Sequence, residues 1–116
     1  MRLACLALAL SLVGSSAMAG GSSANFAEPQ PDPATRTMNR YEAKLWVFDR
    51  CLISQSRLMS TTREAVHTPC SCYSTRTIDG MTKVEFENFR QKSYFDDTTR
   101  AKALAAIDAC KLKRPI

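Results

Sequence analysis

The sequence predicts an all-α protein, a small bundle of three to four helices braced by two disulfides, with a disordered N-terminal arm. Three observations support this fold class. Apolar residues recur at helical spacing from residue 39 onward, and no stretch alternates polar and apolar residues for long enough to indicate a strand. The chain also begins with a segment typical of export signals. Four of its five cysteines follow that segment, and an even number of cysteines in a short exported chain indicates a disulfide framework.

Residues 1–19, MRLACLALALSLVGSSAMA, have the pattern of a secretory signal peptide. Arg2 supplies the positive charge, residues 3–13 form the apolar run, and AMA at the end matches the small-x-small cleavage site. The apolar run is too short for a permanent membrane helix. We therefore expect cleavage after Ala19, loss of Cys5 with the signal peptide, and no stable membrane insertion afterwards.

Residues 20–38 are predicted to be a flexible linker or arm. They are rich in glycine, serine and proline, and three prolines fall between Pro29 and Pro33. Such a composition favours extended, solvated chain over a packed core. The helical domain is therefore assigned to residues 39–116. A domain of this size buries little apolar surface without help, which adds weight to the disulfide prediction.

The first helix is predicted from about Arg40 to Arg57. Asn39 and Glu42 have the spacing of a capping box, in which each side chain accepts a hydrogen bond from the other residue's backbone N–H. The main apolar stripe of this helix occupies a narrow arc and consists of Tyr41, Leu45, Phe48, Leu52 and Met59. The apolar residues on its other sides are Trp46, Val47, Cys51, Ile53 and Leu58. Because a helix that is apolar on most sides is normally covered by its neighbours, we expect the first helix to be central.

A second helix is predicted to begin at TPCS and to stop at Gly80. Thr68 is a suitable N-cap. Pro69 suits the first helical position because its missing N–H has no helical partner there. Glycine commonly follows the last residue of a helix, and Gly80 is the natural candidate.

Two shorter helices complete the predicted bundle. The sequence TKVE repeats the capping-box spacing with Thr82 and Glu85 and starts a third helix. Residues 96–99, DDTT, interrupt this helix and cap a fourth, RAKALAAIDACKL. Pro115 limits how far the fourth helix continues.

The four cysteines that follow the signal peptide have the spacing C-x18-C-x-C-x37-C. Cys51 falls in the first helix and Cys110 near the end of the fourth, while Cys70 and Cys72 fall at the start of the second. Positions i and i+2 of a helix point about 200° apart, so Cys70 and Cys72 are expected to bond to different helices and not to each other. The residues leave two pairings open. We favour Cys51–Cys72 with Cys70–Cys110 over Cys51–Cys70 with Cys72–Cys110.

His67, Cys70 and Cys72 also raise an alternative function, thiol-redox chemistry or metal handling. One imidazole and two thiols can form part of a tetrahedral metal site. Zinc sites usually use C-x2-4-C spacing, however, and need thiolates that an oxidising compartment removes. A helix N-terminus favours a reactive thiolate, yet the sequence has neither C-x-x-C nor a βαβ pattern. We expect no metal and no cofactor, and we keep the thiol-redox or metal-handling protein as the alternative.

Motifs for catalysis and for nucleic-acid binding are missing from the sequence. It contains no nucleophile elbow, no glycine-rich phosphate loop and no H-E-x-x-H, and His67 is its single histidine. The formal net charge is +5, but lysine and arginine are dense only in KLKR at residues 111–114. We expect a protein that is not an enzyme and that has no nucleic-acid partner.

Trp46, Arg50, Ile53 and Arg57 are the predicted partner-binding residues. Trp46 and Ile53 lie seven residues apart, on a side of the first helix roughly opposite the main apolar stripe. Arg50 and Arg57 flank them, and tryptophan and arginine are both enriched at interface hot spots. Trp46 can instead pack inside the monomer, and the sequence leaves both interpretations open.

The order of export signal, polar linker and short helices resembles that of small exported helical proteins of Gram-negative bacteria. The resemblance covers roughly Tyr41 to Leu112 and rests on a cysteine in the first helix, CSCY in the second and AIDAC near the end of the fourth. It implies a periplasmic or secreted protein without catalytic activity and assigns no functional residue. We expect a binding module of immunity-protein, inhibitor, chaperone or secretion-accessory type, with a protein partner or a second copy of itself.

Overall fold

The computed structural model describes residues 30–115 and confirms the all-α fold. These residues form four α-helices, which are α1 (Arg40–Leu58), α2 (His67–Asp79), α3 (Lys83–Lys92) and α4 (Asp97–Ala109). Short 3-10 helices precede α1 at Pro33–Thr37 and α2 at Glu64–Val66. None of the helices in residues 30–115 is long and apolar enough to cross a membrane. The predicted signal peptide, residues 20–29 of the predicted arm and residue 116 lie outside the described residues.

Both predicted capping boxes form. At the start of α1, the Asn39 side chain accepts from the backbone N–H of Glu42 at 2.8 Å, and the Glu42 carboxylate accepts from the backbone N–H of Asn39 at 3.3 Å. Thr82 and Glu85 make the same reciprocal bonds at the start of α3, at 3.1 and 2.8 Å. These bonds satisfy backbone donors that have no partner inside the helix, which explains why local sequence was sufficient to place both starts.

The start of α2 differs from the prediction, whereas its end agrees. The 3-10 helix before α2 runs directly into it, so α2 already begins at His67 and Thr68 makes no capping hydrogen bond. Pro69 occupies the third helical position, where its missing N–H is still without a helical partner. Gly80 ends the helix with an ordinary negative φ of −78°. A Cβ at Gly80 would lie only 2.8 Å from the carbonyl oxygen of Arg76, so the close approach of the backbone explains the glycine.

The last part of the predicted linker, residues 30–38, lies within the described chain and contains a 3-10 helix. Its 3-10 helix is docked on α3, and the Thr35 side chain is completely buried there. The Thr35 hydroxyl donates to the carbonyl oxygen of Arg90 at 2.8 Å, and the backbone N–H of Asp32 donates to the Ser93 hydroxyl at 2.7 Å. Because these long-range bonds come from polar side chains, composition alone did not separate this packed segment from a spacer.

The buried side of α1 is not the stripe that the sequence indicated. The residues of α1 that are buried are Ala43, Val47, Cys51 and Gln55. The members of the predicted main stripe remain exposed or half-buried, and they are Tyr41, Leu45, Phe48, Leu52 and Met59. Phe48 and Leu52 pack against the core, so the part of this stripe that neighbours leave exposed consists of Tyr41, Leu45 and Met59. The disulfide at Cys51 joins the buried side of α1 to α2, and this fixes the orientation of the helix.

The core divides into two clusters that share α1. The disulfide cluster consists of Cys51, Val66, Cys70, Ile107, Cys110 and Leu112, with Phe48, Leu52, Cys72 and Leu104 partly buried against them. The aromatic cluster consists of Ala43, Val47, Ile78, Met81 and Phe89, with Trp46, Phe86 and Phe95 packed on them. Tyr73 packs against both clusters. The disulfide cluster thus joins α1, α2 and α4, whereas the aromatic cluster attaches α3 to α1 and α2.

Candidate functional site

The four predicted disulfide cysteines are all bonded, but the favoured pairing is wrong. The disulfides are Cys51–Cys70, with Cα atoms 5.6 Å apart, and Cys72–Cys110, with Cα atoms 5.8 Å apart. Both distances are ordinary for a disulfide. As predicted, the two cysteines of the CxC motif bond to different helices.

The position of α2 explains which cysteine reaches which helix. Cys70 belongs to the buried side of α2, together with Ser74, Thr77 and Ile78, and it is completely inaccessible to solvent. Cys72 lies two residues further on, so it points away from that side and reaches α4. The sequence predicts the divergence of the two thiols but not which of them faces α1, because that depends on the rotation of α2 in the bundle.

The disulfides also bear on the compartment and on the alternative function. Two disulfides in a small chain indicate an oxidising compartment outside the cytoplasm. Each cysteine of the CxC motif is used in a separate disulfide, so the motif itself is not a dithiol pair. Within residues 30–115 no cluster of three or more potential metal ligands is found. The His67 ring packs edge-on against Phe48, with ring centroids 5.0 Å apart.

Most of the exposed large hydrophobic residues in the described chain lie on α1. We call the predicted main stripe, Tyr41, Leu45, Phe48, Leu52 and Met59, the α1 outer face. Tyr41 is 68% exposed, Leu45 47% and Met59 43%. The five residues of this face are spaced three, four or seven residues apart, which places them in one row along the helix. Four of the five large hydrophobic residues that are exposed in the described chain belong to α1 or follow it directly, and they are Tyr41, Leu45, Ile53 and Met59.

The four predicted partner-binding residues lie in different surroundings. The Trp46 ring packs edge-to-face on Phe89, with ring centroids 5.4 Å apart, and is half-buried. The guanidinium carbon of Arg50 lies over the indole, 3.3 Å from the ring centroid. Ile53 and Arg57 are exposed at the surface of α1. Trp46 therefore contributes to the monomer core, and partner binding by these four residues stays a prediction.

A half-enclosed pocket of about 260 Å³ lies beside Trp46 and Arg50. Its walls come from α1, α2, the loop before α4, α4 itself and the C-terminal segment. The residues that line it are Trp46, Val47, Arg50, Cys51, Ser54, Gln55, Leu58, Tyr73, Phe95, Ile107, Leu112 and Pro115. Trp46 and Arg50 could be singled out from the sequence but the pocket could not, because its walls come from five segments that no local motif connects.

Gln55 and Tyr73 fix two walls of this pocket. The Gln55 side-chain amide donates to the carbonyl oxygen of Lys113 at 2.8 Å and accepts from the backbone N–H of Lys113 at 3.1 Å. This pair of hydrogen bonds between the Gln55 side chain and the Lys113 backbone holds the C-terminal segment, which includes Leu112 and Pro115, against α1. Burial raises the pKa of the Tyr73 phenol. Arg50 is therefore the one charged side chain that lines the pocket among residues 30–115.

Comparison of the chain with protein-family models, with curated proteins and with solved structures found no match. The structure supports the coarser part of the predicted resemblance, a small all-helical protein with two disulfides.

Proposed function

We propose that this protein is an exported, non-catalytic binding module that acts in the periplasm or outside the cell by docking its α1 outer face on another protein. The observation that carries the proposal is the exposure of that face. Tyr41, Leu45 and Met59 are exposed in one row, with Phe48 and Leu52 half-buried between them. Large contiguous apolar patches are rare on monomeric soluble proteins and mark interaction sites. Immunity proteins, enzyme inhibitors, small chaperones and secretion accessories are the classes that this mode of action fits.

The disulfide next to this face supports the proposal. Cys51 lies in the middle of α1 and bonds to Cys70, which fixes the rotation of the helix and therefore the direction of the outer face. A face held in its binding orientation before association loses less conformational entropy on binding. Ile53 and Arg57 are also exposed, but they lie on another side of the same helix, roughly opposite this face, and are not part of the docking surface.

Introduction of a charge into the apolar face tests the proposal. Leu45→Lys places a charge in the middle of the α1 outer face, whereas Val84→Lys makes the same type of change at a residue that is 69% exposed on α3. We expect crosslinking in the native envelope to yield a partner band with wild-type protein and with Val84→Lys, and to lose it with Leu45→Lys. Circular dichroism should show that all three proteins fold alike.

Sedimentation of the purified protein separates the two kinds of partner. A dimer that Leu45→Lys dissociates and Val84→Lys preserves would identify the partner as a second copy of the chain. The proposal fails if Leu45→Lys and Val84→Lys behave alike in both measurements, or if the wild type yields neither a crosslinked band nor a dimer.

The structure gives no observation in favour of the alternative function. Redox chemistry at the CxC motif requires two thiols that bond to each other or to a substrate, and in the structure both are bonded to other helices. We therefore make no second proposal.

A further inference from the structure

The pocket between α1, Tyr73, Phe95 and the C-terminal segment carries an inference that is independent of protein docking. We infer that it binds a single-chain amphiphile with a carboxylate head group, that is, a medium-chain fatty acid, with the alkyl chain in the pocket and the carboxylate on Arg50. The pocket and the α1 outer face lie on different sides of α1, since the pocket is lined by Trp46, Arg50 and Ser54 and by no residue of the outer face.

The walls of the pocket suit an alkyl chain. Apart from Arg50, Ser54 and Gln55, the lining side chains are aliphatic, aromatic, prolyl or cystine groups. Gln55 is 4% exposed, and its amide group is hydrogen-bonded to the backbone of Lys113. The amide is therefore not available to bind a polar group of a ligand. Since a cavity of 150 Å³ holds one benzene molecule, a volume of about 260 Å³ accommodates roughly ten carbon atoms.

Arg50 supplies the site for the head group. Its guanidinium carbon lies over the indole of Trp46, 3.3 Å from the ring centroid. A guanidinium group stacked on an aromatic face keeps the N–H groups at its edge available to an anion. The acidic group nearest to Arg50 in the described chain is the Asp32 carboxylate, at 3.8 Å, which is an ion pair too long for a hydrogen bond. Arg50 and Asp32 are both substantially exposed, so a ligand carboxylate reaches the guanidinium group from solvent.

Asp32 shows that a carboxylate is accepted beside Arg50 and also acts as a competitor. Its other oxygen accepts from the backbone N–H of Ala34 at 2.9 Å and caps the 3-10 helix. An asparagine at this position keeps the oxygen for that cap but has no negative charge. Asp32→Asn should therefore strengthen binding of an anionic ligand without disturbing the fold.

Trp46 provides the signal for a direct test, since it is the only tryptophan of the chain and lies in the pocket wall. Protein with both disulfides intact is titrated with 10-bromodecanoate, whose bromine quenches indole fluorescence at short range. We expect saturable quenching below the micelle concentration and displacement by unlabelled decanoate. Decanol and decyltrimethylammonium should displace the probe much more weakly, because neither presents an anion to Arg50.

Three variants distinguish the pocket from unspecific adsorption. Arg50→Gln should weaken decanoate binding about tenfold or more, the scale of a hydrogen bond to a charged group. Asp32→Asn should strengthen it severalfold. Arg57→Gln removes the same charge from an exposed residue of α1 outside the pocket and should change nothing. Over chains up to the capacity of the pocket, each additional methylene should tighten binding about fourfold.

Several outcomes would overturn the inference. They are quenching only above the micelle concentration, equal displacement by decanol and decanoate, and equal loss of affinity in Arg50→Gln and Arg57→Gln. Melting curves recorded for each variant separate a lost site from a lost fold. Asp32→Asn provides a second check, since improved binding cannot result from unfolding.

Discussion

The disulfide cluster and the aromatic cluster stabilise the two halves of this small bundle in different ways. In the first, two covalent bonds join α1 to α2 and α2 to α4 around Val66, Ile107 and Leu112. In the second, Phe89 is the centre, and the rings of Trp46, Phe86 and Phe95 lie around it at centroid distances of 5.4 to 6.4 Å. No disulfide reaches α3 in the described chain, so α3 depends on packing and hydrogen bonds alone.

This difference shows that different interactions stabilise the two halves of a chain with a small core. Covalent bonds fix the helices that carry the α1 outer face and the pocket, where exposed apolar surface contributes nothing to the monomer. Packed rings hold α3, whose outward side is polar apart from Val84. Three changes to the two clusters and one change to the polar link between α3 and α4 test this division, and they follow from the largest expected effect to the smallest.

Removal of both disulfides should have the largest effect. Chain-entropy reasoning gives about 3 kcal/mol for Cys51–Cys70 and about 4 kcal/mol for Cys72–Cys110, because the second closes the longer loop. The sequence separations are 19 and 38 residues. The sum approaches the whole stability of a small domain. We expect replacement of Cys72 and Cys110 by alanine to destabilise the protein more than replacement of Cys51 and Cys70. The variant without all four cysteines should lack a cooperative unfolding transition in urea.

Phe89→Ala should have the next largest effect. Phe89 is 1% exposed and contacts three other aromatic rings, so its truncation leaves a cavity in the aromatic cluster. The expected loss is about 3–5 kcal/mol in the free energy of unfolding, measured in urea. Val84→Ala on the exposed side of α3 should change it by less than about 0.5 kcal/mol. A small effect of Phe89→Ala would show that the disulfides alone hold the fold.

Local sequence was sufficient for the helices but not for their orientation. The capping boxes at Asn39 and Thr82 and the stop at Gly80 involve residues that contact each other across a single turn, so they can be read directly. Which side of α1 is buried depends on Cys51 and its partner in another helix. The sequence favoured the row with the largest apolar side chains, whereas the bundle buries the row that contains Ala43 and Cys51, where α2 approaches closely.

Neither the cysteine pairing nor the pocket could be predicted from the sequence, because both depend on how the helices pack against one another. Helical geometry separates Cys70 from Cys72, but only the packed bundle shows that Cys70 faces α1. The pocket includes Tyr73, Phe95 and Leu112, which are distant in sequence and share no motif. Trp46 and Arg50 were recognised by residue type, and the structure adds that they are stacked on each other at the edge of a cavity.

Trp46→Ala should have an intermediate effect on stability. Trp46 is half-buried, and its edge-to-face contact with Phe89 places it in the aromatic cluster. We expect a loss of about 2 kcal/mol, roughly half the cost of truncating a fully buried aromatic ring. Leu45→Ala, on the exposed side of the same helix, is the matched control and should cost much less. A loss below about 0.5 kcal/mol would place Trp46 outside the core, whereas partial protection of its fluorescence from iodide would agree with the structure.

The smallest effect concerns Glu85, which links the two halves through polar contacts. Its carboxylate accepts from the Lys102 ammonium group of α4 and from the Thr98 hydroxyl, both at 2.6 Å, and from the backbone N–H of Thr82. The Lys102 hydrogen bond, followed by those of Thr82 and Thr98, lowers the pKa of Glu85 to about 2. A carboxyl whose pKa is lower in the folded state stabilises the fold above its unfolded pKa and loses this contribution as the pH falls.

Glu85→Gln should therefore lower the melting temperature at pH 6 but not at pH 2. The difference from wild type should disappear between about pH 4.5, the ordinary value for this group, and about pH 2, its value in the fold. Glu87→Gln removes the same charge from an exposed residue of α3 and provides the matched control. Asp96 and Asp108 also have lowered pKa values, because the Thr99 backbone N–H bonds to the first and Arg114 to the second. Both are present in wild type and variants, so the difference isolates Glu85. A constant difference from pH 6 to pH 2 would mean that Glu85 acts through shape alone, and that the polar link between α3 and α4 contributes no charge interaction to the fold.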